Sequence, residues 1–319
     1  MKRLLVLATT ALVCAAGGGL ASVAVAPVVH RSATVRRLTA VPRSLPSSTA
    51  SSSTPPPAPP TAPPTTVATP AALPAVDPAV VAARVQQTML AVLPSADVGF
   101  EVYDRQTGTV LASNNADQQF AAMSVVKLLI ALGVLAANNW ALPDSGTQQQ
   151  LHQMLADSDD GIADNLWGAD GGPALVTRMV TLLGLTGTRP PDDPGEWGDT
   201  LITAQDMVTV YRYITDQLPA PTRDFLVGAL SDAPQTAADG FDQYFGIPNG
   251  LPHTTWAIKQ GWGTSGSQAV MASTGLVGGD LRYVVVVLSS ASANSYLRVP
   301  AVVTAGASAL ADVLSLASP

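Results

Sequence analysis

Ser124-Val125-Val126-Lys127 holds the residues of this sequence best suited to covalent chemistry. Val126, Leu129, Ile130, Val134 and Leu135 recur at helical intervals, so Ser124 is expected near a helix N-terminus, with Lys127 on the same face. A lysine so placed can reach the serine hydroxyl and, once burial lowers its pKa, take the proton and leave a nucleophile. The helix dipole and the free N–H groups at that end would stabilise developing negative charge. Taken alone, the S-x-x-K spacing fits a serine cap followed by a surface lysine just as readily. The lysine count argues for chemistry: after Lys2 the chain contains only Lys127 and Lys259 and otherwise uses arginine, which cannot be neutralised as a lysine can.

Lys259 stands in Ala257-Ile258-Lys259-Gln260-Gly261-Trp262-Gly263, which reads as a strand ending in glycines. Gly261 would permit close approach of a ligand backbone, and the Trp262 N–H could join that of Ser124 in an oxyanion hole. The plainer alternative is a strand-edge lysine before a turn. A third element, Ser158-Asp159-Asp160, opens another helical stretch, with Asp157, Asp159 and Asp160 crowded around one serine. An acidic helix cap accounts for this pattern, and the ligand periodicity of a calcium loop is absent. In a catalytic reading, Ser158 passes a proton between the leaving group and the lysines. His152 and His253 lie outside these elements, with no acid or serine at triad spacing and no cysteine nearby. No metal and no cofactor are expected.

The surrounding patterns supply elements to position these residues. Val80, Val81, Val85, Met89 and Leu93 predict a helix over 78–93, and Val98, Phe100 and Val102 alternate into a hairpin with Val110-Leu111-Ala112. From Met123 to about Leu230 the pattern is mainly helical, broken by a proline-rich loop at 189–198. Strand patterns return at 254–260, 269–274 and 281–288, before a final apolar helix over 299–316. Strands from both ends of the chain around a helical middle imply an α/β sandwich with a helical subdomain and a cleft where the two meet.

Composition narrows the function classes. All acidic residues lie at Asp77 or later, and from residue 44 onward ten basic residues face twenty-three acidic ones, a net charge of −13. Such a body repels phosphate backbones, which excludes nucleic acid as a partner. Lys2 and Arg3 precede an apolar run from Leu4 to Val29, the pattern of an export signal, or of a membrane anchor if the run is not cut. Residues 30–76 read as a Pro/Ser/Thr/Ala-rich linker, with ten prolines between 44 and 75. The organisation expected is therefore 1–29 signal peptide or membrane anchor, 30–76 linker and 77–319 domain. The domain would lie outside the cytoplasm, secreted or held at the membrane through the N-terminal segment alone. Cys14, the one cysteine, falls inside the apolar run, so the domain has no disulfide.

In order, the three elements resemble the S-x-x-K, S-D-N and K-T-G set of class A β-lactamases and penicillin-binding proteins. The resemblance covers about residues 78–316 and implies a sandwich of a mainly antiparallel sheet with flanking helices and a helical subdomain. It implies an acyl-enzyme on Ser124, Lys127 as base or base-positioning partner, Ser158 as proton shuttle and Lys259 as electrostatic support. Asp160, Gln260, Gly261 and Trp262 would contact the substrate, a β-lactam or a peptidoglycan peptide. Ser158 to Gly172 and Phe245 to Trp262 also look like the actinobacterial LppW-like proteins, an alanine-rich lipoprotein group. Two motif positions depart from the pattern. Gln260 replaces a hydroxyl residue that would hold a substrate carboxylate, and Asp160 stands where the family has Asn and cannot donate as an amide does. The loop from Gly187 to Thr200 has no Glu-Pro segment to activate a deacylating water, and Asp192, Asp193 and Glu196 are its candidate substitutes. A hydrolase with slow deacylation is expected, the alternative being an impaired relative that binds wall peptides or a partner.

Overall fold

Asp77 opens the described chain, which runs from residue 77 to residue 315 in a computed structural model. The apolar segment 1–29, the linker 30–76 and Cys14 lie outside the described residues. The Asp77 carboxylate accepts from the Ala79 N–H at 2.9 Å and Pro78 takes the first helical position, so cap and proline together set the start of α1 (Pro78–Val92). Strands β1 (Asp97–Asp104) and β2 (Thr109–Asn114) follow as a hairpin. The helical block comprises β3 (Phe120–Ala121), α2 (Lys127–Ala137), α3 (Ser145–Ala156), α4 (Asp160–Ala169), α5 (Pro173–Leu183), β4 (Leu201–Ile202), α6 (Ala204–Asp216), α7 (Ala220–Ser231) and the short α8 (Ile247–Gly250). The chain then returns to the sheet in β5 (Trp256–Ser265), β6 (Gln268–Val277) and β7 (Tyr283–Ser292), and ends in α9 (Val299–Ser308) and α10 (Ala311–Ser315). The single terminal helix expected over 299–316 is thus divided around Ala309 and Leu310, and residue 316 lies beyond the described chain.

The sheet order is β2-β1-β7-β6-β5, with every neighbour antiparallel. β1 pairs with β7 from Asp97↔Ser290 to Asp104↔Tyr283, which joins the two ends of the chain. One face packs Val98, Phe100, Val102, Met271, Val285 and Val287 beneath α1 and α9; the other turns Ala272, Val284, Val286 and Leu288 into the core of the helical block. Burial on both faces explains the unbroken apolar run Val284 to Leu288 in β7. β5 is an edge strand of the sheet, and its outer side meets the helical block at the segment Met123–Val126. The fold is an α/β sandwich of an antiparallel sheet with flanking helices.

One buried ion pair fixes the β1–β2 turn. Asp104 accepts from the Gln106 N–H (2.9 Å), the Thr107 hydroxyl (2.8 Å) and both Nε and an Nη of Arg282 (2.7 and 2.5 Å). The guanidinium is the main reason the Asp104 carboxyl is held at about 2, below its ordinary 3.8. Its stabilisation is therefore complete above the ordinary carboxylate range and is lost as pH falls through about 2. Asp104→Asn is expected to cost about 2 kcal/mol at pH 7. Urea unfolding should show variant and parent converging as the pH is lowered towards 2; an equal gap at both pH values would contradict this account.

Candidate active site

Ser124 lies in a single 3-10 turn, Met123–Val126, that runs into α2, and it is buried at 5% exposure. Met123, just before it, has left-handed backbone (φ 48°), which is uncommon for a residue with a Cβ. The turn is held from two sides. The Ala122 N–H donates to Thr200 O at 2.7 Å, and Gly261 of β5 packs directly beneath: a Cβ on it would stand 2.7 Å from Ala122 O. The close approach that Gly261 permits is thus to the Ser124 segment of the protein itself.

Lys127 begins α2 with its side chain fully buried. Its Nζ donates to Ser124 Oγ at 2.7 Å, to Asp160 Oδ1 at 2.6 Å and to Ser158 O at 3.1 Å, with Ser158 Oγ at 3.4 Å. The antiparallel return of α3 against α2 carries the chain back to this end. Ser158 sits between the α3 C-terminus and Asp159, which caps α4 by accepting from the Ile162 N–H at 2.9 Å. Its left-handed backbone (φ 59°) is what the position after a helix end favours. The acidic cap read from the sequence is therefore Asp159, while its neighbour Ser158 is buried among the lysines. Lys259 Nζ reaches Ser158 Oγ at 2.9 Å and Gln260 O at 3.1 Å. Its strand is braced by a buried relay in which the Thr274 hydroxyl donates to Lys259 O (2.7 Å) and contacts the Tyr211 hydroxyl (2.9 Å).

Burial pushes the Lys127 amine below its ordinary value, against an opposing pull from the Asp160 carboxylate. Lys259 is pushed well below, by burial and then by the charge of Lys127. Two amines beside one serine therefore favour sharing fewer protons than two free lysines would carry.

A cavity of about 560 Å³ opens onto Ser124. Asp160 and Trp262 line it, while Lys127, Ser158 and Lys259 lie behind its wall. Gln260 does not line it. Its amide, fully buried, donates to Phe245 O (2.6 Å) and Gln243 O (3.1 Å), because alternation along β5 turns it to the face opposite Lys259. Trp262, on the same face as Gln260, stacks on Phe241 (ring centroids 4.9 Å apart) and donates its indole N–H to Asp239 at 3.0 Å.

Several site residues carried no local signal in the sequence. Trp197 places its ring 4.5 Å from Lys127 Nζ and donates its indole N–H to Asp164 at 2.7 Å. The loop bearing it is stapled at its start by Asp206, which accepts from the N–H groups of Thr186, Gly187 and Thr188 and from the Thr188 hydroxyl. At its end β4 pairs with β3, so the loop and the turn holding Ser124 share one small ladder. Of the candidate deacylating acids, Glu196 lines the cavity, Asp193 accepts from the Gly195 N–H at 2.9 Å, and both they and Asp192 are exposed.

No family model matches the chain. A protein of Mycobacterium tuberculosis that carries the name lipoprotein LppW is 37% identical over 210 residues, which cover 64% of this chain and 66% of that relative. Among solved structures, a class A β-lactamase of Bacteroides cellulosilyticus superposes with a TM-score of 0.57 at 16% identity, covering 73% of this chain and 99% of that one. PBP-A superposes with a TM-score of 0.58 at 19% identity, covering 73% and 96%. With the antiparallel sheet and helical block described above, these likenesses show a chain similar to LppW over 210 residues and built on the fold of the class A β-lactamases and PBP-A.

Proposed function

We propose that the chain is a serine acyl-transfer enzyme acting through Ser124 on the carbonyl of a cell-wall peptide or a β-lactam. The observation that carries this reading is a fully buried lysine amine 2.7 Å from a buried serine hydroxyl, at a cavity. As the free amine, Lys127 takes the Ser124 proton while Oγ bonds to the substrate carbonyl carbon. The Gln260 carbonyl accepts from Lys259 on the site side of β5. Two residues on, the Trp262 N–H points the same way by strand alternation and can stabilise the oxyanion. When the carbon–nitrogen bond breaks, the leaving nitrogen takes the Ser158 proton, and Ser158 is resupplied from the lysine that received the Ser124 proton. A PBP-A variant has been solved as an acyl-enzyme complex with penicillin G, the kind of intermediate proposed here. The LppW name and the apolar N-terminal run support an extracytoplasmic location at the membrane.

One observation favours a second reading, a cleft that binds wall peptides without turnover: the Lys127–Asp160 pair at 2.6 Å stabilises the ammonium, which cannot act as a base. Labelling by a fluorophosphonate decides between them. Covalent modification that disappears in Ser124→Ala is the expected result, and an unreactive parent protein would leave only the binding role.

A further inference from the structure

The charge around the nucleophile is of one sign. Five carboxylates line the cavity, those of Asp160, Asp164, Glu196, Asp199 and Asp239, and its lining contains no lysine, arginine or histidine. Lys127 and Lys259 lie buried behind it, so even with both protonated the acids outnumber them five to two. Three of the five are engaged, Asp160 with Lys127, Asp164 with the Trp197 indole and Asp239 with the Trp262 indole. Among the described residues, Glu196 and Asp199 make no side-chain hydrogen bond or ion pair. The place where a substrate carboxylate would be gripped is also altered. Gln260 turns its amide into the Gln243 and Phe245 carbonyls, and the residues opposite Gln260 and Trp262 on β6 are Ser273 and Met271, neither of them cationic. The aromatic residues Trp197, Trp262 and Tyr296 also line the cavity, and ring faces attract cations.

Resting on the Ser124 acyl-transfer reading, we infer that the preferred acyl donors carry a neutral or cationic group beside the scissile carbonyl, and that Glu196 and Asp199 reject donors carrying a carboxylate there. A cleft lined by one sign of charge focuses the potential and changes encounter rates by 10–10³-fold. The substrate class is thus an amidated or amine-bearing acyl peptide, or an ester of similar charge, and a penicillin acylates slowly because a carboxylate adjoins its lactam.

The test uses three thioesters of one acyl group, with thioglycolate, thioglycolamide and thiocholine as leaving groups. Each forms the same Ser124 ester: the Oγ–carbon bond forms, the carbon–sulfur bond breaks, and the serine proton leaves on the thiol. Each acylation rate is divided by the rate of the same ester with hydroxylamine in solution, which removes the difference in intrinsic reactivity. The thiocholine and thioglycolamide esters are expected to exceed the thioglycolate ester by about tenfold or more. Added salt should narrow the gap, as should Glu196→Gln combined with Asp199→Asn. A thioglycolate ester that reacts as fast as the amide overturns the charge inference and leaves Ser124 acylation standing. If no ester acylates the parent, titration of the same three compounds into the Ser124→Ala protein separates the two ideas. Tighter binding of the thiocholine ester would then sink the acyl-transfer reading but keep the charge preference, and no preference in binding would sink both.

Discussion

A penicillin forced onto Ser124 at high concentration is expected to remain there for about seconds or longer. Acylation needs a nucleophile, a base and an oxyanion site, and Ser124, Lys127 and the N–H groups of Ser124 and Trp262 can supply them. Deacylation also needs a water on the acyl carbonyl and a base to deprotonate it. General-base help of that kind is worth typically 10²–10⁴-fold, so its loss stretches a millisecond intermediate to about seconds. The chain has two glutamates: Glu101 is buried on β1, and Glu196 is exposed on the loop. The same loop sets the Trp197 ring 4.5 Å from Lys127 Nζ. Intact-protein mass spectrometry at successive times after quenching excess penicillin reads the lifetime directly. Clearance within milliseconds would refute the expectation, and whichever of Asp192→Ala, Asp193→Ala or Glu196→Ala then trapped the adduct would identify the base.

Lys127→Ala is expected to lower the acylation rate by about 10²–10⁴-fold, the worth of a positioned general base. The pH profile tests the mechanism rather than the fold. Acylation should rise with pH as Lys127 loses its proton, and it should level off below the ordinary lysine range because burial lowers that amine. Asp160 opposes the shift through its hydrogen bond and its charge. Asp160→Asn should therefore move the rising limb to lower pH and speed acylation at pH 7; a limb displaced by one pH unit multiplies the amine fraction there about tenfold. An unchanged limb in Asp160→Asn would mean that Lys127 is not the group being titrated.

The local patterns of the chain determined much of the architecture. Period-two alternation in β1 set Val98, Phe100 and Val102 on one face, and the helical recurrence of Val81, Val85 and Met89 marked α1. β5 was read as ending at residue 260, because Gly261 and Gly263 look like chain breaks in one dimension. In the fold, each lies against the segment holding Ser124, where a Cβ would stand 2.7 Å from Ala122 O and 2.6 Å from Met123 Sδ respectively, so β5 continues through them. The S-x-x-K pair was legible because three residues along a helical path is a local distance. Ser158 and Lys259, at sequence separations of 31 and 132 residues from Lys127, could be linked to it only by resemblance.

The tertiary structure alone decided the surroundings of these groups. Gln260 and Lys259 are adjacent in sequence, yet strand alternation buries the amide on one face and carries the amine to Ser158 on the other. Asp239 and Asp164 reach the cavity through indole hydrogen bonds from distant segments, and Asp206 holds a loop it does not belong to. Residue types and short spacings are properties of the chain, whereas burial, charge balance and the direction of a side chain belong to surfaces that meet only on folding. The pairing of Ser124 with Lys127 was therefore readable from the sequence, while the acidic character of the cavity beside it emerged only when five separate carboxylates were brought around one serine.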